Sequence, residues 1–293
     1  MTSDPSPSIH RRGVRTMLLS TACFTANALI IRALGTVQEV DVWLLVCVRF
    51  ITGLCLIMTV FRFGPEAFQP RNLYLHRRLI GRGIAGAIGV YTYYLSVVHL
   101  GAGRATFINT SYVVLAALFA VIMLGERFRP ILAFSGPAAL VGLALITNVI
   151  SSGSHVSFYD LIAVVSALSS AYVVVTIRQL HAEGEHTSTI FAAQCAYGLL
   201  LCAGPAVAHW APPSALAWTL MVVAALCAGG GQILMTQGFR DLPVGEGSLL
   251  QMLVPLGIAL GGAVFFREHF AVHELLGAVL ILGGSALPAL RKT

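Results

Sequence analysis

The chain has 293 residues, 57% of them hydrophobic and 10% charged, with a mean hydropathy of +0.84. A soluble domain carries roughly 25% charged residues, so a water-facing globule is excluded. The net charge of +6 comes from arginines set singly between apolar runs, which excludes a basic nucleic-acid-binding face and leaves them as topology signals.

Ten apolar stretches follow in chain order, near 16–34, 40–61, 80–100, 104–124, 131–150, 157–179, 189–209, 215–238, 246–266 and 273–290. At about 20 residues, each is long enough to cross a hydrocarbon core of ~30 Å. The expected fold is an all-α integral membrane protein of ten transmembrane helices, multi-pass in the cytoplasmic (inner) membrane, with no room for a separate soluble domain. Residues 1–14 read as a short polar tail without the small-residue cleavage site of a signal peptide, and 291–293 as a second tail.

Orientation follows from the basic residues. With the N-terminus in the cytoplasm, 14 of the 18 lie inside: Arg11, Arg12, Arg15, Arg62, Arg71, Arg77, Arg78, Arg82, Arg127, Arg129, Arg178, Arg240, Arg291 and Lys292. Arg32, Arg104 and Arg267 fall outside. This is the positive-inside bias, and an even number of spans puts both termini in the cytoplasm. Trp43 and Trp210 fall near the outer interface. The six cysteines lie in apolar runs without metal-like spacing and read as small buried hydrophobes; the nine histidines gather at loops and helix ends, so no metal site and no cofactor is expected.

The second span, "VWLLVCVRFITGLCLIMTVF" from Val42 to Phe61, holds Arg49. A charge there costs at least ~2.5–3.5 kcal/mol on insertion scales, so it has to face the bundle or a wet cavity. Two roles fit: a clamp for a substrate carboxylate, or a donor to carbonyls freed where a neighbouring helix breaks. No Asp or Glu falls well inside any span, so Arg49 has no membrane-buried partner and no carboxylate proton relay is evident. Glu246, at the mouth of the ninth span, reads as a solvated helix cap.

Two segments repeat. "LGAGRATFINTSYVVLAALFAVIMLGERF" (Leu100–Phe128) aligns without a gap on "LPVGEGSLLQMLVPLGIALGGAVFFREHF" (Leu242–Phe270), matching Gly103 with Gly245, Glu126 with Glu268 and Phe128 with Phe270. "STACFTANALIIRAL" from Ser20 corresponds to "SALSSAYVVVTIRQL" from Ser166, pairing Arg32 with Arg178. A repeat of five helices, 15–150 and 151–290, has odd parity, so the second copy enters the membrane from the opposite face. Inverted repeats of this kind supply alternating access in secondary transporters.

These halves, with "GAGRA" and "GERF" in one, "PVGEG" and "FREHF" in the other, and an embedded "VRFITGL", resemble the EamA-type transporters of the drug/metabolite transporter superfamily. The resemblance implies metabolite efflux, above all export of amino acids or related compounds. That family often has a proline midway along both the fourth and ninth helices. Here Pro255 is present but its mate is Val113, so the two helices are expected to bend unequally. "TANALIIRALGTVQEV" followed by "VRF" also looks like the start of members that carry S-adenosylmethionine or export amino-acid-derived metallophores.

The neutral polar residues place the candidate site. Asn109 and Tyr112 share a face of the fourth span, and Gln251 is the repeat-mate of Asn109 on the ninth. Tyr91 and Tyr94 lie on one face of the third, Gln232 on the eighth and Tyr172 on the sixth. With Arg49 they form the candidate substrate-binding set, whereas Asn27, Ser169 and Gln194 read as interhelical hydrogen-bonding residues. Such a pocket suits a small zwitterion with an apolar part, moved by a monomer or homodimer within the lipid bilayer. A phosphate would call for more positive charge. The alternatives are uptake or exchange of S-adenosylmethionine or a nucleotide-like metabolite and, from another class, a membrane enzyme or a passive channel. Neither HExxH nor GxSxG is present to support an enzyme.

Overall fold

The computed structural model describes residues 7–62, 68–126, 130–147, 157–267 and 271–290; Arg127, Phe128, Arg129, Glu268, Phe270, Arg291 and Lys292 lie outside them. Among the described residues the chain is helical without strands: α1 (Pro7–Val37), α2 (Val42–Val60), α3 (Asn72–Leu75), α4 (Arg77–Leu100), α5 (Ala102–Thr110), α6 (Tyr112–Leu124), α7 (Pro130–Ile146), α8 (Phe158–Ala182), α9 (Thr187–Ala208), α10 (Ala215–Asp241), α11 (Val244–Gln251), α12 (Leu253–Phe266) and α13 (Val272–Leu290). Eight spans are long and apolar enough to cross a membrane, with α5–α6 and α11–α12 each counted as one; α7 and α13 contribute shorter apolar stretches. Large side chains such as Leu19, Ile122, Phe134, Leu161, Leu200, Val264 and Phe265 are exposed on the outside of the bundle, as expected where lipid is the solvent.

Local chemistry sets the helix ends. Asp41 caps α2 by accepting the Trp43 N–H at 2.8 Å, and Ser157 and Asp160 form a capping box on α8. Gly125 (φ 62°) and Arg267 (φ 57°) end α6 and α12 in the left-handed region, a conformation that costs a non-glycine residue about 1 kcal/mol or more.

Helix α1 begins at Pro7, not at 16. The polar residues of the expected tail are held in the helix by distant partners: His10 bonds Glu246, and Arg12 grips Asp241 with Nε at 2.7 Å and Nη2 at 2.9 Å. At Gly13 a Cβ would stand 2.7 Å from Leu242 Cγ, so the glycine lets α1 close against the end of α10.

The spans α5–α6 and α11–α12, expected as the fourth and ninth, are both broken, contrary to the unequal bending expected from Pro255 alone. In the second half Pro255 lacks the N–H that would bond the Gln251 carbonyl, and the Met252 N–H turns to Leu249 O at 3.1 Å. In the first half the break comes without proline: Ser111 donates both its N–H (3.2 Å) and its hydroxyl (2.6 Å) to Ile108 O, tightening the turn. The breaks follow directly on Thr110 and Gln251, so Asn109 and Gln251 sit in the last turns of their half-helices.

The halves interlock. Helix α1 packs on α10, α4 on α8 and α9, α2 on α9 and α10, α6 on α8, and α7 on α13. The small-residue stretches serve these contacts within the chain: Gly89 of "GAIG" meets Ser169, and Gly284 of "GGSA" meets Ser135 O and Ala139. All six cysteines are free, Cys47, Cys195 and Cys202 buried as expected, whereas Cys55 is exposed on the outer face of α2.

Candidate functional site

A cavity of ≈ 240 Å³ lies in the middle of the bundle. It is bounded by the broken spans on one side and by α1, α2, α4, α8, α9 and α10 on the others. Six of the eight candidate residues line it: Arg49, Tyr94, Asn109, Tyr112, Gln232 and Gln251. Two do not. Tyr91 stacks on Trp43 with ring centroids 3.7 Å apart, and Tyr172 turns away toward Gly81, where a Cβ would stand 2.8 Å from its hydroxyl.

The cavity-facing stripe of α4 is Gly86, Gly89, Val90 and Tyr93, spaced as one helical face. Tyr93 was missed because Tyr91 and Tyr94 also satisfy a three-residue spacing; the two glycines one and two turns earlier mark the inward face. Tyr93 Oη and Thr106 Oγ1 are 2.9 Å apart, and Arg49 Nη1 lies 3.4 Å from Tyr94 Oη. Thus Arg49 points into the cavity. Among the described residues its hydrogen-bond partner is a phenol at long range, not the carbonyls of a broken helix.

The two repeat-related amides offer opposite chemistry. Asn109 Oδ1 lies 2.8 Å from Ser166 Oγ, which leaves its amide N–H groups as donors. Gln251 donates from Nε2 to Ser20 Oγ (3.0 Å) and Met17 Sδ (2.8 Å), which leaves its carbonyl oxygen as an acceptor. Asn27 and Gln194 also line the cavity, and Gln194 joins α9 to α4 as expected, accepting from Arg82 Nη2 and donating to Gly86 O. No Asp or Glu lines it among the described residues, nor does any group of three or more His, Cys, Asp or Glu side chains there suit a metal ion.

Burial changes along the cavity. Gly86, Val173, Val174, Gln194, Gln232, Met235 and Gln251 are buried, whereas Arg49, Tyr93, Tyr94, Thr106, Asn109 and Tyr112 are partly exposed. The buried set forms a floor toward the end of the bundle where α1 begins, and that end is latched. Arg178 pairs with Glu126 (2.6 Å) and donates to Phe239 O (3.2 Å) and Leu242 O (2.7 Å). Glu126 in turn accepts the Val244 N–H at 3.2 Å, satisfying one orphan donor of α11. Glu246 is 1% exposed and paired with His10; it is a buried tie, not a solvated cap.

The latch carries a prediction. Arg178→Ala is expected to raise, several-fold, the labelling of a cysteine placed at Met235 by an impermeant maleimide added from the α1 end. The background would lack native cysteines, and Arg32→Ala is the control that should leave labelling unchanged. Equal labelling of all three proteins would show that Arg178 does not hold this end shut.

One residue has a role the charge count did not reveal. Arg82, counted with the cytoplasmic charges at the start of the third span, is fully buried inside α4 and donates from Nη2 to Gln194 Oε1 at 2.9 Å. Its position four and five residues after two loop-adjacent arginines, Arg78 and Arg77, hid it.

The sequence pattern of the EamA-like transporter family matches the chain twice, over residues 11–148 and 157–289. The chain belongs to the EamA-like transporter family. This EamA-like protein is accordingly a transporter rather than an enzyme, and a multi-pass protein of the cell membrane. Its similar curated relatives include the pseudopaline exporter CntI of Pseudomonas aeruginosa in strains UCBPP-PA14 and PAO1. Each is 25% identical over 277 residues, covering 93% of this chain and 94% of the relative. A crystal structure with 18% sequence identity superimposes with a TM-score of 0.77 over 96% of this chain and 98% of its own, which is a likeness of fold.

Proposed function

We propose that this protein is a secondary transporter that exports small amino-acid-like metabolites, including amino-acid-derived metallophores, across the cytoplasmic membrane. Transport proceeds by alternating access between two inverted five-helix halves with ten spans in all and both termini inside. The observation that carries the reading is the central cavity: a guanidinium, amide donors and acceptors and phenol rings converge there, with no acidic side chain lining it among the described residues. That set fits a carboxylate on Arg49 and Asn109, an ammonium on the Gln251 carbonyl and the tyrosine faces, and an apolar part against Val254 and Ile258. A sulfonium cargo such as S-adenosylmethionine finds no counter-charge in it. Export is supported by the likeness to the pseudopaline exporter.

The inverted arrangement is supported by the packing. Exchanging each helix for its repeat-mate turns α1 on α10 into α8 on α4, and α6 on α8 into α12 on α1; all four contacts are present. The ungapped register that aligns Gly103 with Gly245 also aligns Gly125 with Arg267, the two left-handed caps. Symmetry fails where alternation needs it to fail. Helices α6 and α8 close on α11, and α8 on α10, whereas their mates across the bundle (α12 and α1 on α5, α1 on α4) pack no comparable face together among the described residues. In this reading the latched end is the cytoplasmic one and the cavity opens outward.

Untargeted metabolite profiling of medium and cytosol, in cells with and without the protein, tests this reading. A carboxylate-bearing amino-acid-like compound enriched in the medium is expected. Enrichment inside the cells would reverse the direction, and no difference in any metabolite would remove the assignment.

A further inference from the structure

Among the described residues, Arg104 and Arg178 differ from Arg82 in how their guanidinium groups are met. Arg104 takes Asp160 with Nε and Nη2, both at 2.8 Å, and Arg178 takes a carboxylate and two carbonyls. These are structural cations with complementary partners. Arg82 is the largest fully buried side chain, yet of its donors only Nη2 is used; Nε and Nη1 have no hydrogen-bond partner among the described residues. A buried permanent charge without a counter-charge is costly, and a guanidinium can donate five bonds.

The unused donors lie against the cavity floor. Gly86, one turn along α4, lines the cavity, and a Cβ there would stand 2.4 Å from Arg82 Nη1 and 3.0 Å from Gln194 Cγ. Because residue 86 has no side chain, the guanidinium packs directly behind Gly86, one layer from the cavity. Gln194, which also lines the floor, holds Arg82 with its carbonyl oxygen. Gln232, 5% exposed and lining the same floor, has an Nε2 that is likewise unpartnered. The floor therefore presents unused buried donors, one group of them charged, with no carboxylate lining it among the described residues.

We propose that the floor is a second carboxylate site, formed by Arg82 and Gln232, and that the cargo carries at least two carboxylates: one taken by Arg49 in the open part of the cavity and one by the floor. This rests on the reading of the cavity as the transport site and narrows its substrate from a zwitterion to an amino-acid derivative of net negative charge. Arg82 is the specificity-determining residue, because the floor has no other charge.

The test uses the full chain in lipid nanodiscs and two probes that differ by one carboxylate, L-phenylalanine and N-carboxymethyl-L-phenylalanine, titrated calorimetrically. Wild type is expected to bind the dicarboxylate at least about tenfold more tightly, the scale of one hydrogen bond to a charged group. Arg82→Gln should abolish that ratio, and Arg82→Lys should restore part of it. Should Arg82→Gln fail to fold, Gly86→Ala and Gln232→Leu decide the matter: the first displaces the guanidinium with its charge kept, the second removes the neighbouring donor, and both should lower the ratio. Equal binding of the two probes by wild type, or a preference that survives in the folded variants, overturns the second site. Failure of both probes to bind wild type instead overturns the reading of the cavity itself.

Discussion

Replacing Arg49 with alanine is expected to abolish transport while leaving the protein in the membrane. The side chain lies in the second span, part exposed to the cavity, with Tyr94 as its long-range partner and no carboxylate nearby on the cavity wall. Removing it strips the open part of the cavity of its charge. A hydrogen bond to a charged group contributes about 1.5–3 kcal/mol, which is roughly a 10- to 150-fold loss of affinity for a carboxylate. Insertion should not suffer, because the embedded guanidinium itself costs at least ~2.5–3.5 kcal/mol on insertion scales. Arg49→Lys keeps the charge but not the planar fork and should recover only part of the activity. Folded Arg49→Ala protein that carries cargo with unchanged affinity would remove Arg49 from the site.

The second large effect concerns folding. Gly142→Leu should prevent α7 and α13 from closing. A Cβ at Gly142 would stand 2.6 Å from Gly277 O and 2.9 Å from Leu280 Cβ, and one at Gly277 would stand 2.5 Å from Gly142 O. The two backbones touch at reciprocal glycines, so a side chain has nowhere to go unless the helices part. Parting them uncovers the fully buried Ala139, Leu143 and Ile281. Overpacking a tight core costs about 1–3 kcal/mol, and backbone separation adds to that. Gly283, on α13 with Gly277, has nothing within 4 Å of its Cβ position, so Gly283→Leu is the control. Size-exclusion profile and thermal stability in detergent should show a large loss for Gly142→Leu and little for Gly283→Leu; parallel behaviour would show that the crossing is not tight.

Apolar length alone marks the spans, because a membrane leaves few other ways to bury 20 hydrophobic residues. The repeat register singled out Asn109 and Gln251, since two halves of one duplicated unit bring equivalent positions to the middle. What local pattern did not carry was pairing at a distance. His10 and Arg12 look like tail residues until Glu246 and Asp241 are placed beside them. The break at Ser111 has no proline to announce it, and depends on which carbonyl a serine chooses. Arg82 resembles its loop neighbours in every respect except the depth of α4 at that point. Tyr91 and Tyr93 are separated only by the exact rotation of a helix, which packing fixes and sequence spacing does not.

The most direct test of the central cavity as the transport site is counterflow in proteoliposomes, using the metabolite that profiling identifies. Wild type would be compared with Asn109→Ala/Gln251→Ala and with Leu200→Ala, a change on the exposed outer face, all reconstituted at equal density. Saturable exchange by wild type and Leu200→Ala, with at least a tenfold loss for the double variant, is the predicted result. Undiminished exchange by the double variant, or flux through wild type that does not saturate, would contradict the account.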